Sequence, residues 1–229
     1  MPRPDYTRFC REFRSPHCSV HCFENDRVYC YPYAKVYDDR TVLVEDSYRH
    51  MRMGVYVDVM PMDGYPDRGG TLARLRRMIK VAWGCLVLQN CSPFNKKRPF
   101  LRQMVLFLLL PFQLIPVRAR RWPSRLFLPI LQREASRYSF ENQPFAGCAV
   151  WGGKMREVLP AEVYSGFIDM VFEGEPRRVM VGWERYLVSC YGDYMTPPSP
   201  EKRVAHHAFR AWWKDGFESC SGEEASATP

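Results

Sequence analysis

The sequence predicts an α+β domain in which helices flank a β-sheet. Segments with apolar residues at helical spacing lie at residues 2–14 and 70–90, and runs of strand-forming residues lie between them, at residues 27–46 and 54–64. At least three short strands fit in these runs, which is enough for a sheet with a helix on one face. The chain has 229 residues and is 46% hydrophobic, so it can bury a substantial core.

The first predicted helix covers residues 2–14. Pro4 and Asp5 suit its first turn, because proline fixes a helical φ angle and an acidic side chain interacts favourably with a helix N-terminus. Four apolar residues then fall on one face at helical spacing: Tyr6, Phe9, Cys10 and Phe13. We therefore expect this helix to pack on the sheet through that face.

Two strands are predicted within residues 27–46. The first continues from Val28 to Tyr37 and ends at an Asp-Asp turn, and the second covers Thr41–Val44. Lys35 alternates with the tyrosines of the first strand and so lies on one face with them. It is either an ordinary solvated lysine or a fixed point charge that contacts a phosphate.

The stretch Gly54–Gly64 predicts a strand that presents one carboxylate. Its valines alternate with other residues, so Asp58 lies in the middle of the strand, on the face away from the valines. Pro61 ends the strand, and Asp63-Gly64 is a turn signal. An aspartate in mid-strand is costly unless it is paired, hydrogen-bonded or bound to a metal, so Asp58 marks either a site or an edge strand with one solvated carboxylate.

Positive charge is concentrated in the middle of the chain. Residues 67–134 carry 14 Lys and Arg against two Asp and Glu, a net charge of +12, whereas the whole chain carries +8. The basic region therefore favours an anionic partner: nucleotide phosphates, an anionic membrane surface or nucleic acid. No recognition motif supports nucleic acid, and the arginines flank an apolar run rather than exposed aromatic residues, so we expect no nucleic-acid partner.

Residues 96–133 combine an apolar run with basic flanks. The run Met104–Val117 has 14 residues and two prolines, too few and too broken for a membrane span, which needs about 20 residues. Basic residues on both sides and Trp122 at the boundary favour a segment that lies on an anionic membrane surface. The alternative is a buried helix of the domain core.

The C-terminal part predicts further short elements within the same domain. A short helix is expected at residues 161–164, a strand pair at 172–174 and 179–181, and a helix at 183–190. Gly192-Asp193 and Pro197-Pro198 fix a turn, and Pro200 can open a helix. No repeat or linker divides the chain, so we expect one domain over residues 1–215 and a disordered tail over residues 216–229.

The nine cysteines favour free thiols in a reducing compartment, because their number is odd and no secretory signal is recognisable. Cys18, Cys22 and Cys30, with His17 and His21, form the one candidate zinc cluster. Their spacing matches no common ligand framework, so small buried thiols and surface histidines are the alternative.

Three separated stretches occur in a characteristic order: Pro32–Thr41, Gly54–Gly64 and Tyr191–His206, with Phe172-Glu-Gly174 before the last of them. Together they closely resemble the LicD family, the group of phosphocholine transferases that also includes fukutin-like proteins. The opening Met1–Tyr6 also resembles the segment that follows the acidic motif of that family. The resemblance extends over nearly the whole predicted domain.

The resemblance implies a nucleotidyltransferase-like fold, a mixed sheet flanked by helices, into which the basic and apolar segment is inserted. It implies transfer of phosphocholine, or a related phospho-alcohol, from a CDP-choline-like donor to a sugar of lipopolysaccharide, teichoic acid or another surface glycan. It also implies Mg²⁺ or Mn²⁺ held by carboxylates. With the predicted surface segment, the expected location is cytoplasmic, peripheral at the inner face of the membrane.

Site residues follow from the same resemblance. Asp58 matches a metal-site carboxylate of the family and is assigned the catalytic and metal-binding role. The remaining assigned residues contact substrate: Lys35, Arg40 and Arg203 through phosphate, and Asp63 and Asp193 through a substrate hydroxyl or as supporting groups.

One departure from the family pattern bears on activity. The family carries a Gly-rich segment and an Asp-x-Asp pair ahead of the helix that opens this chain, and both are missing here. One carboxylate cannot hold two metal ions. We expect that the natural start lies upstream. The alternative is a truncated, catalytically inactive remnant that binds a membrane surface or a glycan.

Overall fold

The computed structural model describes residues 1–26, 29–45, 52–90, 122–150, 155–203 and 209–214, together with Met104, Phe107, Leu108, Pro111 and Ile115. Helices and strands are both abundant in these residues, so the α+β class is confirmed. The predicted tail, residues 216–229, and most of the predicted surface segment lie outside the described residues.

The described residues form four α-helices: α1 (Arg3–Glu12), α2 (Gly70–Asn90), α3 (Trp122–Ala135) and α4 (Trp183–Tyr191). The predictions of α1, α2 and α4 are confirmed to within two residues. Single 3₁₀ turns occur at Phe140–Asn142, Ala161–Tyr164 and Pro200–Lys202. The second coincides with the predicted short helix, and the third begins at Pro200, where a helix was predicted to start.

Eleven short strands complete the described elements: β1 (Cys18–His21), β2 (Ala34–Asp38), β3 (Thr41–Glu45), β4 (Arg52–Met53), β5 (Tyr56–Val59), β6 (Asp63–Tyr65), β7 (Phe145–Gly147), β8 (Leu159–Pro160), β9 (Phe167–Phe172), β10 (Glu175–Met180) and β11 (Phe209–Trp213). They pair antiparallel in four small sheets, ordered β1-β2-β5, β11-β3-β4, β6-β7-β8 and β10-β9. The predicted mixed sheet therefore differs from the described strand pairing, and the nucleotidyltransferase-like arrangement stays a prediction.

The β1-β2-β5 sheet positions the candidate site. Ala34 faces a small core with Tyr6 of α1 and Cys22, as predicted for the apolar face of that helix. The opposite face carries Lys35 and Tyr37, because side chains alternate along a strand. Asp58 lies on this second face, away from the valines, and the valine at position 57 is 69% exposed.

The main core lies between the tyrosine-rich segment before β2 and the α2–α3 helix pair. Leu75 and Ile79 of α2 pack with Leu128 and Leu131 of α3, and all four are buried. Each such side chain contributes about 1.5–3 kcal/mol on burial. In the part of the chain that the structure describes, no helix is both long and apolar enough to cross a membrane.

One turn prediction is wrong. Asp63-Gly64 was expected to form a turn, but both residues belong to β6, which pairs with β7 about 80 residues later. The glycine is required there because a Cβ atom at Gly64 would lie 2.1 Å from the Ser139 carbonyl oxygen. A turn dipeptide therefore lies in a strand, at a point where the backbone of a neighbouring loop approaches closely.

Candidate functional site

Lys35 and Asp58 form an ion pair between two neighbouring strands. β2 and β5 run antiparallel with these residues directly opposite each other, and Lys35 Nζ lies 2.5 Å from Asp58 Oδ1. Lys35 is 2% exposed, whereas the Asp58 side chain keeps 30% of its surface exposed. Because Lys35 is buried, it is not an ordinary solvated lysine. Asp58 is paired with Lys35, so it is not a carboxylate that contacts only solvent. The substrate and metal roles assigned to the pair stay predictions.

Tyrosines surround the Lys35 ammonium. Its Nζ atom lies 3.4 Å from the ring centroid of Tyr56, and the Tyr31 and Tyr33 rings lie at 5.1 and 5.5 Å. Burial lowers the pKa of Lys35, while the hydrogen bond to Asp58 opposes that shift. Aromatic faces attract a cation, so the rings offset part of the cost of burying this charge.

Glu45 adds a second acidic side chain that the sequence reasoning missed. It ends β3, it is buried, and its Oε1 atom accepts a hydrogen bond of 3.0 Å from the Tyr56 hydroxyl. Tyr56 therefore contacts Glu45 through its hydroxyl group and Lys35 through the face of its ring. The alternation in Thr41–Glu45 placed Glu45 on the same strand face as the buried Leu43, and this was the available signal.

His21 lies in the same row of residues across the sheet. It is directly opposite Lys35 on β1, just as Asp58 is opposite Lys35 on β5. Its Nδ1 atom lies 2.8 Å from Asp26 Oδ2, and its ring stacks on Tyr37 with 4.3 Å between centroids. The sequence reasoning considered His21 as a zinc ligand or as an ordinary surface histidine.

The described residues do not fit a metal site. No group of three His, Cys, Asp or Glu side chains that could hold a metal ion occurs among them, and this covers the five residues of the candidate zinc cluster. Asp58 offers one carboxylate, and its Oδ1 atom already accepts from Lys35. The expected requirement for Mg²⁺ or Mn²⁺ therefore stays a prediction.

Two of the other assigned residues are held by local partners. Arg40 donates to both carboxylate oxygens of Asp38, at 2.9 and 2.8 Å, and its guanidinium lies over the Trp213 ring. The hydrogen bond from Arg40 lowers the pKa of Asp38 to about 2. Arg203 donates through Nε to the Pro198 carbonyl oxygen. Contacts of these arginines with phosphate stay predictions.

Asp63 lies in a buried junction rather than on an exposed surface. Arg3 donates to both of its carboxylate oxygens, at 2.8 and 2.5 Å, and also to Gln132 Oε1 of α3. Burial raises the pKa of the Asp63 carboxyl, and the Arg3 guanidinium opposes that rise. Gln132 continues the junction by donating to the Pro32 carbonyl oxygen just before β2.

Asp193 lies in the exposed turn after α4. Its Oδ1 atom accepts from the Thr196 amide at 3.2 Å, and the hydrogen bonds from Thr196 lower the pKa of Asp193. This is the turn that Gly192 and the prolines predicted. The structure therefore brings Lys35 and Asp58 into direct contact, and it places the other assigned residues in separate local interactions.

A cavity of about 780 Å³ lies between α1 and β1. Its lining includes Tyr6, Cys10, Phe13, Ser19 and Asp39, but neither Lys35 nor Asp58. The cavity therefore adjoins the edge of the sheet, next to the row that contains His21.

Comparisons with known proteins give one distant relative. No family model matches the chain, and no solved structure matches it. The chain is 25% identical over 186 residues to the lipopolysaccharide cholinephosphotransferase LicD of Haemophilus influenzae (strain ATCC 51907 / DSM 11121 / KW20 / Rd), and the match covers 78% of this chain and 64% of that protein. The chain thus spans less than two thirds of the relative's length. This distant similarity supports the resemblance to the LicD family.

Proposed function

We propose that the protein transfers phosphocholine, or a related phospho-alcohol, from a CDP-activated donor to a hydroxyl group of a glycan such as lipopolysaccharide. Two findings support the proposal: the distant similarity to a lipopolysaccharide cholinephosphotransferase, and the Lys35–Asp58 pair, which joins the middle strand β2 of a three-stranded sheet to its edge strand β5. The pair carries the proposal because it combines a buried positive charge with a partly exposed carboxylate at one fixed position.

The pair suits phosphoryl transfer. This reaction depends on positioning the reactants and on balancing charge across the diphosphate, and rigidly held charged groups contribute to both. Adjacent strands hold both backbones in place, and the tyrosine rings fix the Lys35 ammonium.

Release of CMP from CDP-choline tests the proposal directly. The full-length protein, supplied with a lipopolysaccharide acceptor, is expected to release CMP and to label the glycan with choline phosphate. Asp58→Asn is nearly isosteric and removes the negative charge, so we expect the rate to fall by about 10²-fold or more while the far-ultraviolet circular dichroism stays unchanged.

Asp169→Asn is the matched control. Asp169 also lies in mid-strand, in β9, but it is exposed and belongs to the separate β9–β10 pair. We expect wild-type turnover from this variant. Wild-type turnover from Asp58→Asn as well would remove Asp58 from the site.

Peripheral binding to an anionic membrane is a second function that one observation favours. Trp122, Leu126 and Ile130 are exposed at four-residue spacing along α3, and Arg125 and Arg133 are exposed beside them. We call the first three residues the α3 stripe. An apolar stripe with arginines and a tryptophan suits the interface of an anionic bilayer, where a glycan acceptor on a lipid would be located.

A further inference from the structure

The β9–β10 hairpin presents apolar surface to solvent. Four large apolar side chains of β9 are between 40% and 76% exposed: Phe167, Ile168, Val171 and Phe172. Among the described residues, β9 and β10 pair only with each other. A two-stranded hairpin is at best marginally stable in water by itself, and exposed apolar patches mark interaction surfaces. The composition of this hairpin therefore favours a further partner.

The tight turn of the hairpin determines which backbone groups point away from it. Phe172 and Glu175 are opposite each other at the ends of the two-residue turn Glu173-Gly174, whose φ angles of 52° and 81° match a type I′ turn. The closing pair of such a hairpin exchanges both of its backbone hydrogen bonds. The next pair, Val171 and Pro176, therefore directs its backbone groups outward, and outward positions recur at every second residue from there.

The outer edges of the two strands differ. β10 has Pro176 at an outward position, and proline has no N–H group to donate. Arg177 and Arg178 follow it, and prolines and charged side chains are what keep an edge strand from pairing with another chain. In contrast, β9 contains no proline and a single charged residue, Asp169. The outer edge of β9 is thus the edge that is open to another strand.

A second copy of β9 fits this edge. Two identical strands that pair antiparallel are related by a two-fold axis perpendicular to the sheet, and this axis keeps each side chain on the same face. The register must therefore be centred on a residue, and the two central residues of β9 are Asp169 and Met170. Centring on Asp169 would place two carboxylates directly opposite each other, which is unfavourable, whereas centring on Met170 brings two thioether side chains together.

The register centred on Met170 also uses the outward backbone groups of β9. It places Asp169 opposite Val171 of the second copy, and both are outward positions, so the two residues can exchange backbone hydrogen bonds. On the other face of the sheet, Ile168 lies opposite Phe172 of the second copy, next to the two Met170 side chains. Apolar side chains that are exposed in the single chain would thus contact each other.

Charge complementarity supports the same register. It places Phe167 opposite Glu173 of the second copy. Within one chain, the guanidinium carbon of Arg178 lies 5.0 Å from the centroid of the Phe167 ring. The cation above this ring would therefore lie next to the carboxylate of the second copy, and two-fold symmetry repeats the contact. Opposite charges placed together in this way fix the register of an interface.

We propose that the protein forms a symmetric homodimer in which β9 pairs antiparallel with β9 of a second copy, centred on Met170. The two hairpins then form one four-stranded sheet in the order β10-β9-β9-β10, and the proline-containing strands are its outer edges. Because a two-fold interface uses the same surface on both copies, the assembly closes at two chains. The dimer is independent of the proposed function, since β9 contains neither Lys35 nor Asp58.

Sedimentation velocity of the full-length protein over a concentration series tests the dimer. A strand pair of this length is a small interface, so we expect a Kd of about 1–100 μM. Met170→Lys places two ammonium groups opposite each other across the two-fold axis and should raise the Kd by about 10-fold or more. A wild type that stays monomeric up to about 500 μM overturns the proposal, whether a lipid surface or another protein covers the hairpin instead.

Val171→Lys is the matched control, because it introduces the same side chain at the next residue of the same strand. In the proposed register this lysine faces Asp169 of the second copy, so the Kd should fall or stay within about threefold of the wild-type value. Equal increases in Kd from the two lysine substitutions would mean that the apolar surface associates without this register, and the proposal would be overturned.

A charge exchange decides the question if Met170→Lys does not fold. Arg178→Glu and Glu173→Arg each place like charges together across the interface, so each should raise the Kd by about 3–10-fold. The double variant restores opposite charges and should recover most of the wild-type affinity. Losses that simply multiply in the double variant would show that Arg178 and Glu173 do not meet between copies, and would overturn the proposed register.

Discussion

Lys35 Nζ lies 2.5 Å from Asp58 Oδ1 and 3.4 Å from the centroid of the Tyr56 ring, so one buried ammonium contacts both a carboxylate and an aromatic face. Tyr56 and Asp58 are two residues apart on β5 and therefore share a strand face. The alternation along β5 therefore places both of these contacts on the same face of the sheet as Lys35, the only lysine of β2. It also predicts how Lys35 responds to pH.

Lys35 should make stability increase with pH. Burial lowers its pKa in the folded state below the unfolded value, so the unfolded chain binds more protons between those two pKa values. The free energy of unfolding therefore rises as pH increases through that window toward 10.5. Urea unfolding at several pH values gives the free energies of unfolding of the wild type and of Lys35→Met. The wild-type value minus the Lys35→Met value should increase as the pH rises. A difference that does not change with pH would contradict the burial of this charge.

The Arg3–Asp63 pair should contribute strongly to stability. Arg3 is the partner that satisfies a carboxylate whose side chain is 1% exposed, so Arg3→Met leaves a buried charge without compensation. We expect a loss of about 3–5 kcal/mol in the free energy of unfolding. Chemical denaturation measures this directly.

Arg8→Met is the control for that prediction, because Arg8 lies on the same helix and pairs with the exposed Asp5 at 3.0 Å. We expect a change of less than about 0.5 kcal/mol. Equal effects of the two substitutions would mean that Asp63 is satisfied by other groups.

Gly54 should tolerate no side chain. A Cβ atom there would lie 2.4 Å from the Asp38 carbonyl oxygen, so Gly54→Ala forces the backbones beside β2 and β5 apart. We expect a loss of about 1–3 kcal/mol and a lower Tm. Gly84→Ala in α2 has nothing within 4 Å of its new Cβ atom and should instead stabilise by about 0.5–1 kcal/mol. Thermal unfolding of both variants tests the contrast.

The α3 stripe should bind anionic vesicles. Replacing Leu126 and Ile130 by Gln removes apolar surface from the exposed face, so co-sedimentation with phosphatidylglycerol-containing vesicles should fall several-fold. Val171→Gln changes an equally exposed apolar residue of β9 and should leave binding intact. Binding that is unaffected by the α3 substitutions would contradict the membrane function.

Local patterns predicted much of the fold. Alternation placed Asp58 in mid-strand and Lys35 on the face of its tyrosines, and apolar spacing placed α1 and α2. Partners distant in sequence were not visible in this way. Asp63 was predicted to lie in a turn, because the sequence does not reveal the two distant partners that place it in a strand. Its strand forms by pairing with β7, and its buried carboxylate is paired with Arg3, 60 residues earlier.

The site was predicted less completely than the fold. The burial of Lys35 depends on tyrosines from two separate segments, so no single pattern signals it. The cysteines on both sides of His21 favoured the prediction of a zinc site. In the structure its partner is instead Asp26, which is brought close by the turn at Asn25. The resemblance to the LicD family assigned separate roles to Lys35 and Asp58. The structure adds that the two side chains are in direct contact.

A double-mutant cycle on CMP release from CDP-choline tests the central claim most directly. If Lys35 and Asp58 act as one unit in the transfer site, Lys35→Met and Asp58→Asn should each lower the rate by about 10²-fold or more, and the double variant should lose little beyond either single one. Rates that multiply independently, or a wild-type rate from Asp58→Asn, would contradict the claim that this pair forms the transfer site.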